Sequence, residues 1–386
     1  MTRKWLRWIP AAAVPAVIAA GALSGSLPAS AGDPLPEKTP QQVLLMIAEH
    51  GEKSLSGTLE QSSQIGLPEL PKSGPGAGSP ETAWLELLTG PHTARVYLDG
   101  PGKARVQVLD RMAERDAVRN GNDLWFYNSK DNTAAHAQLP AGAADRHVAR
   151  PGTPTPGELV DKLLAKLDAS TEVTVGPDAE VAGRAAYNLV LTPKSDVTLL
   201  DSIAIAVDGE SGLPLGVELK ARGQSEPAFN VAFTSLKLEA PESSIFNFTP
   251  PPGATVEEIP VPDHQAIAGT PPPDPATAKA AKRPAVTGSG WESVLEFPAG
   301  TMALPGRTPP QTGAPDPETA NPLQPDPSDP EGTRSGAAAL LEQAAVAVPG
   351  GRLVSTSLVN VLILDDGRVL AGSVPLERLQ AAATAR

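Results

Sequence analysis

The sequence predicts an α+β protein dominated by antiparallel strands, on three observations. Between about Thr39 and Thr249 apolar residues recur at period two, as in Arg95-Val96-Tyr97-Leu98 and Arg105-Val106-Gln107-Val108. Tight-turn pairs punctuate these runs, Asp99-Gly100 and Asn120-Gly121 among them, so successive strands join as hairpins in a meander rather than a parallel sheet. Two helix starts stand out at Thr39-Pro40-Gln41-Gln42 and Thr155-Pro156-Gly157-Glu158, each pairing a capping residue with Pro at the first helical position.

Taken in order, the first helix carries Val43, Leu44, Met46 and Ile47. The strand that ends at Asp99-Gly100 and the alternating run 105–108 follow, and the segment before Asn120-Gly121 should pair with Asp123–Asn128. In the second helix Leu159, Leu163 and Leu167, with Val160 and Leu164 beside them, form one apolar stripe. Further strands are expected at Ala185–Leu191, Ile203–Val207, Leu215–Lys220 and Phe229–Leu238.

The strand after Asn120-Gly121 concentrates an unusual resource. The chain has only five Trp, three Tyr and six Phe, yet Trp125, Phe126 and Tyr127 are consecutive. Alternation puts Leu124 and Phe126 on one side and Trp125 and Tyr127 on the other. Both faces are apolar, so both must be covered, by helices, by another segment or by a ligand.

Composition narrows the possibilities further. Of 386 residues 43 are Pro and 35 Gly, and net charge is −13, with 44 acidic against 31 basic residues. With no basic run after the N-terminus, nucleic acid is excluded as a partner, because its binding rests on Lys and Arg neutralising phosphates. Cysteine is absent, which removes disulfides, thiolate metal sites, a catalytic Cys and lipid-modified cysteine.

The N-terminus predicts export. Arg3, Lys4 and Arg7 form a positive region, an apolar stretch runs from Ile9 to Leu23, and Ala29-Ser30-Ala31 is a small-residue cleavage site, so residues 1–31 are expected to be a signal peptide. The stretch falls short of the roughly 20 residues of a membrane span. Pro10 and Pro15 also interrupt it, which favours cleavage over a membrane anchor. The mature protein is expected to be secreted or associated with the cell envelope.

Four local patterns resemble the LolA-like lipoprotein carriers and the related RseB-like sensors. Ser54-Leu55-Ser56-Gly57-Thr58-Leu59-Glu60-Gln61 resembles their opening strand, and Asn120-Gly121-Asn122-Asp123-Leu124-Trp125-Phe126-Tyr127 their hairpin. Val181-Ala182-Gly183-Arg184-Ala185-Ala186-Tyr187-Asn188-Leu189 and Phe246-Asn247-Phe248-Thr249-Pro250-Pro251-Pro252-Gly253 resemble a later strand and the closing segment. The resemblance covers roughly residues 39–256. It implies an incomplete antiparallel β-barrel, a LolA-like half-barrel, enclosing helices around a hydrophobic cavity for acyl chains. The expected organisation is a LolA/RseB-like lipid-binding domain over 32–256, then a Pro-rich disordered linker over 257–335 with a docking island at 290–297. A small C-terminal helix-hairpin-helix module is expected over 336–386, with a helix at Ala337–Val348 and a hairpin at Asp365-Asp366-Gly367 that docks on the first domain or pairs with a partner's strand. The linker and C-terminal module resemble extensions of exported actinobacterial relatives.

Chemistry-bearing motifs are few. The five histidines, His50, His92, His136, His147 and His264, form no metal-ligand spacing. A G-x-S-x-G nucleophile elbow and a phosphate-cradling loop are both absent, and Glu60, Asp110, Glu114 and Asp116 suit a solvated face. No catalytic residue, metal site or cofactor is expected. The candidate lipid-binding residues are Leu55, Leu59, Val106, Val108, Leu124 and Phe126, which recur at period two on neighbouring strands as the inside of a half-barrel requires. Two functions from different classes follow: a non-enzymatic carrier of lipid or acylated lipoprotein, or an RseB-like envelope-stress regulator binding an anti-sigma factor or other envelope protein. Peripheral contact with the outer face of the membrane is compatible with both.

Overall fold

The computed structural model describes residues 34–51, 53–66, 90–109, 113–140, 170–260, 284–299 and 344–385. The signal segment, the helix expected from Thr155 and most of the Pro-rich stretch lie outside these residues. The described residues form two compact units, one of 34–65 and 90–260, the other of 284–299 and 344–385.

The first unit is one open, twelve-stranded sheet. Its first meander comprises β1 (Ser54–Ser63), β2 (His92–Asp99), β3 (Lys103–Leu109), β4 (Glu114–Asn120), β5 (Asp123–Asn128) and β6 (Thr133–Gln138). The second comprises β7 (Thr171–Val181), β8 (Arg184–Pro193), β9 (Leu200–Asp208), β10 (Pro214–Ala221) and β11 (Phe229–Lys237). All neighbours within each meander are antiparallel. Pairing of β1 with β11 joins the two, and β12 (Thr255–Glu258) adds to the far edge in parallel with β6. The sheet is not closed, which is the architecture the half-barrel expectation called for.

The turns match the chemistry of their residues with one adjustment. The loop between β4 and β5 is Gly121-Asn122, not Asn120-Gly121, since Asn120 still pairs with Asp123; Gly121 takes the positive φ of 64° that the turn requires.

Helix α1 (Pro40–Glu49) begins with the expected capping box: the Thr39 hydroxyl accepts from the Gln42 amide and the Gln42 side chain accepts from the Thr39 amide. Val43 and Leu44 bury against Tyr187, Leu189 and Val207 on β8 and β9. The segment before the helix is tied down twice, by Tyr187 Oη donating to Pro36 O at 2.8 Å and by the Leu35 amide donating to Asp178. At Gly212, with φ +75°, an added Cβ would fall 2.4 Å from Met46 O, so only glycine admits so close an approach of helix and turn.

Arg184, just after the β7–β8 turn, closes a bidentate pair with the buried Asp208 at the end of β9, at 2.7 and 2.9 Å. Burial alone would raise the Asp208 carboxyl; hydrogen bonds from Arg184 and from the Ser211 hydroxyl and amide outweigh it and hold the group below its ordinary value. Asp116, read from the sequence as solvated, is instead buried and bonded by Arg105 at 3.1 and 2.5 Å. There burial prevails, and pushes the carboxyl above its ordinary value. Alternation put Asp116 on a face that sequence could not show to be covered.

The second unit is a six-stranded sheet with one helix. The strands are β13 (Ala285–Thr287), β14 (Val294–Phe297), β15 (Val346–Val348), β16 (Gly351–Ser355), β17 (Asn360–Leu364) and β18 (Val369–Gly372), in the order β13-β14-β18-β17-β16-β15. Val294, Leu362 and Leu370 bury beneath Leu379 of helix α2 (Leu376–Thr384), together with Val374. One expectation is corrected here: residues 346–348 are a strand, not the end of a helix. The β17–β18 hairpin is flanked on both sides by strands of its own unit, β16 and β14. The island at 290–297 supplies β14, the strand beside β18. Its apolar character follows from that pairing.

Two expectations can be checked. Arg184→Met should cost about 3 kcal/mol in urea unfolding at pH 7, because it strands a buried carboxylate. As the folded-state pKa of Asp208 is depressed, the pair contributes fully above the unfolded value near 3.9 and less as pH falls. The gap between wild type and variant should therefore narrow on acidification. A fragment of residues 336–386 lacks β13 and β14 and leaves the edge of β18 unpaired. It should aggregate, whereas 284–386 should give a dispersed NMR spectrum.

Candidate functional site

Directly opposed residues of antiparallel strands share a face, so the register assigns every side chain of β1–β6 to one side or the other. Three rows run across one face. The first is Leu55, Leu98, Ala104, Arg119, Leu124 and Ala137; the second is Gly57, Val96, Val106, Ala117, Phe126 and Ala135. The third is Leu59, Ala94, Val108, Arg115, Asn128 and Thr133. All six residues singled out from the sequence lie on this face, two in each row.

Five of the six are buried and Leu124, in the first row, is half-buried. The middle row is the deepest, with Val96, Val106, Phe126 and Ala135 all at 4% exposure or less. Side chains of this size each gain about 1.5–3 kcal/mol on burial, so the row is a main source of cohesion as well as a candidate surface. Gly57 interrupts it without leaving a gap. An added Cβ there would sit 2.8 Å from the Phe233 ring, which occupies that space from β11.

The same face continues past β1. Leu59 opposes Phe233, and further pairings carry the face through Val231, Val217, Ile205 and Leu189 to Val175 at the opposite edge. Helix α1 covers that end, over Leu189, Ile205 and Val175. The candidate residues and the α1 core are thus two parts of one apolar face.

The opposite face of β3–β6 is closed by the chain itself. Residues 243–246 form a 3-10 turn whose Phe246 is fully buried, with the Lys103 ammonium 5.8 Å from its ring. Arg105 donates to Ile245 O at 2.8 Å while pairing with Asp116, and Asn120 donates to Asn247. Phe248 lies against Trp125 and Tyr127, with ring centroids 5.5 and 5.8 Å away. Trp125 also stacks on His136 at 4.3 Å, and that imidazole sits between Glu258 of β12 (3.0 Å) and Asp123 (3.1 Å). This resolves the consecutive aromatics: Trp125 and Tyr127 are roofed by the closing segment, and Phe126 belongs to the other face. The role of His136 as a link to β12 had no signal in its own spacing. Only the pairing of β12 with β6 brings Glu258 to it. Among the described residues no group of three or more His, Cys, Asp or Glu could hold a metal ion.

No protein-family pattern and no curated protein matches the chain by sequence. Among solved structures, it is similar to a chain of the Pseudomonas aeruginosa MucA/MucB complex at 16% identity and TM-score 0.40, over 89% of this chain and 96% of that one. A crystal structure of MucB gives 16% and 0.37, over 88% of this chain and 94% of that one. A LolA superfamily protein from Nitrosomonas europaea gives 12% and 0.23, over 55% of this chain and 99% of that one. The chain is thus similar to both kinds of protein, MucB and LolA-like. With scores this low, the architecture rests on the strand order and register described above.

Phe246→Ala should destabilise the first unit by about 3 kcal/mol, as expected for removing a buried ring. Hydrogen exchange should report the loss mainly in β3 and β4, which the Phe246 turn touches, with β7–β9 still protected.

Proposed function

We propose that the protein is an exported, non-enzymatic binding protein that carries lipid or lipoprotein acyl chains on the apolar face of its open sheet. The observation that supports this best is the register that gathers Leu55, Leu59, Val106, Val108, Leu124 and Phe126 on one face. The other side of these strands already has its aromatic roof of Phe246 and Phe248. Acyl chains would gain about 25 cal/mol per Å² of apolar area removed from water, enough for several kcal/mol of gross driving force per chain. The N-terminal charge and cleavage pattern supports export, and among the described residues no helix is long and apolar enough to cross a membrane.

A second reading, an RseB-like envelope-stress regulator binding an anti-sigma factor or other envelope protein, is favoured by one feature. The chain carries a further unit with its own core of Val294, Leu362, Leu370 and Leu379. Simple carriage has no need of it.

The deciding experiment is mass spectrometry of organic extracts from protein purified out of its own host, with acyl-probe binding beside it. The carrier reading expects co-purifying lipid and probe binding in the micromolar range. Leu124→Asp, which sets a charge on the half-buried first row, should weaken the probe at least tenfold. The exposed Thr174→Asp on β7 should bind as wild type. Lipid-free protein that takes up no probe would sink the carrier reading and leave the regulator.

A further inference from the structure

One residue departs from the apolar character of the first row. Arg119 stands between Ala104 and Leu124, with Leu98 and Leu55 beyond on one side and Ala137 on the other. Its Nε donates to Gly121 O at 3.1 Å, which turns the guanidinium toward the β4–β5 hairpin. Its Nη2 is shut off from solvent and has no hydrogen-bond partner. Nor does a carboxylate pair with it among the described residues. Other arginines of these sheets do have such partners: Arg105 pairs with Asp116, Arg184 with Asp208 and Arg368 with Glu296.

A guanidinium keeps its charge at any physiological pH, and buried donors in folded proteins almost always find an acceptor. An apolar row that keeps a cation without a counter-ion is unbalanced by itself and is completed by an anion. The position is also suited to a head group. The middle of the first row is shallow, with Leu98, Ala104, Arg119 and Leu124 all half-buried, whereas Val96, Val106, Phe126 and Ala135 of the second row are buried. From the first row to the third is about 13 Å along the strands, at roughly 3.3 Å per residue. That path is apolar through Val96, Val106, Phe126, Leu59 and Val108.

We propose that Arg119 is the head-group anchor of the carrier surface, selecting amphiphiles with an anionic end, a carboxylate or a phosphate ester. Its guanidinium binds the anion at the hairpin margin while the acyl chain lies over the second and third rows. This rests on the carrier reading and adds the charge and orientation of the ligand to it. A planar guanidinium offers two parallel N–H donors to such an anion, a geometry that neutral head groups cannot exploit in the same way.

The test compares oleate with methyl oleate, which has the same chain and no charge, on the full-length exported protein at pH 7.4. Wild type should bind oleate about tenfold more tightly than the ester, the scale of one charge-assisted hydrogen-bonded contact. Arg119→Gln should lower oleate affinity to the level of the ester. Unchanged binding of methyl oleate by the variant shows at once that the apolar face is intact. Equal binding of the two probes by wild type, or oleate binding unaltered in Arg119→Gln, overturns the anchor and leaves the carrier reading standing. Failure of wild type to bind either probe overturns the carrier reading, and the anchor with it.

Discussion

Strand register is the constraint from which the rest of this protein follows. Side chains alternate with period two, so a one-residue slip of β3 or of β5 against its neighbours would send Val106 or Phe126 to the side where Arg105 and Trp125 now stand. The two-residue Gly121-Asn122 loop fixes that choice between β4 and β5, and the loop at Gly100 fixes it between β2 and β3. Between β1 and β11 the register shifts at Thr58/Leu59, yet Leu59 still meets Phe233 and the apolar face passes unbroken from one meander into the other. Gly57 is part of the same arrangement, because the Phe233 ring lies where any side chain at that position would be.

The two faces are completed by different means. Opposite the apolar rows, Phe246 and Phe248 arrive from a segment more than a hundred residues away, held by Arg105, which bridges a buried carboxylate and a backbone carbonyl. That bridge carries a cost, since Asp116 would be easier to keep neutral in its buried setting. Asp208 is the contrasting case, with an arginine, a hydroxyl and an amide all favouring its charged form. Two buried aspartates on one sheet thus sit on opposite sides of their ordinary value. Asp116 is the more deeply desolvated and has the Glu114 charge nearby, whereas more donors reach Asp208.

Much of this was legible beforehand, and the reasons it was legible are local. The capping box at Thr39, the hairpin at Gly121 and the alternation of 105–108 depend on neighbours within a few residues, and each is found where the sequence put it. Period two alone paired Leu55 with Leu59, Val106 with Val108 and Leu124 with Phe126 within their own strands, and the register between strands puts all six on one face. The burial of Asp116, the pairing of His136 with Glu258 and the position of β14 beside β18 were not legible, because each depends on a contact between distant parts of the chain. The C-terminal hairpin was recognised from Asp366-Gly367. Its surroundings were not, since β13 and β14 come from a stretch whose composition speaks for a linker. Arg119 went unremarked for a related reason: an arginine on an alternating strand gives no sign that its neighbours are all apolar.

A sheet that does not close keeps two edge strands, and an edge strand is where another chain can add. At one margin β12 is only four residues long and ends in Glu257-Glu258; at the other β7 breaks its register at Gly176–Ala179 and carries Glu172, Asp178 and Glu180. Short length, irregularity and like charge are the features that discourage edge-to-edge growth. The open form therefore comes with built-in protection against stacking copies into fibrils, and the net negative charge of the chain extends that protection to the whole surface.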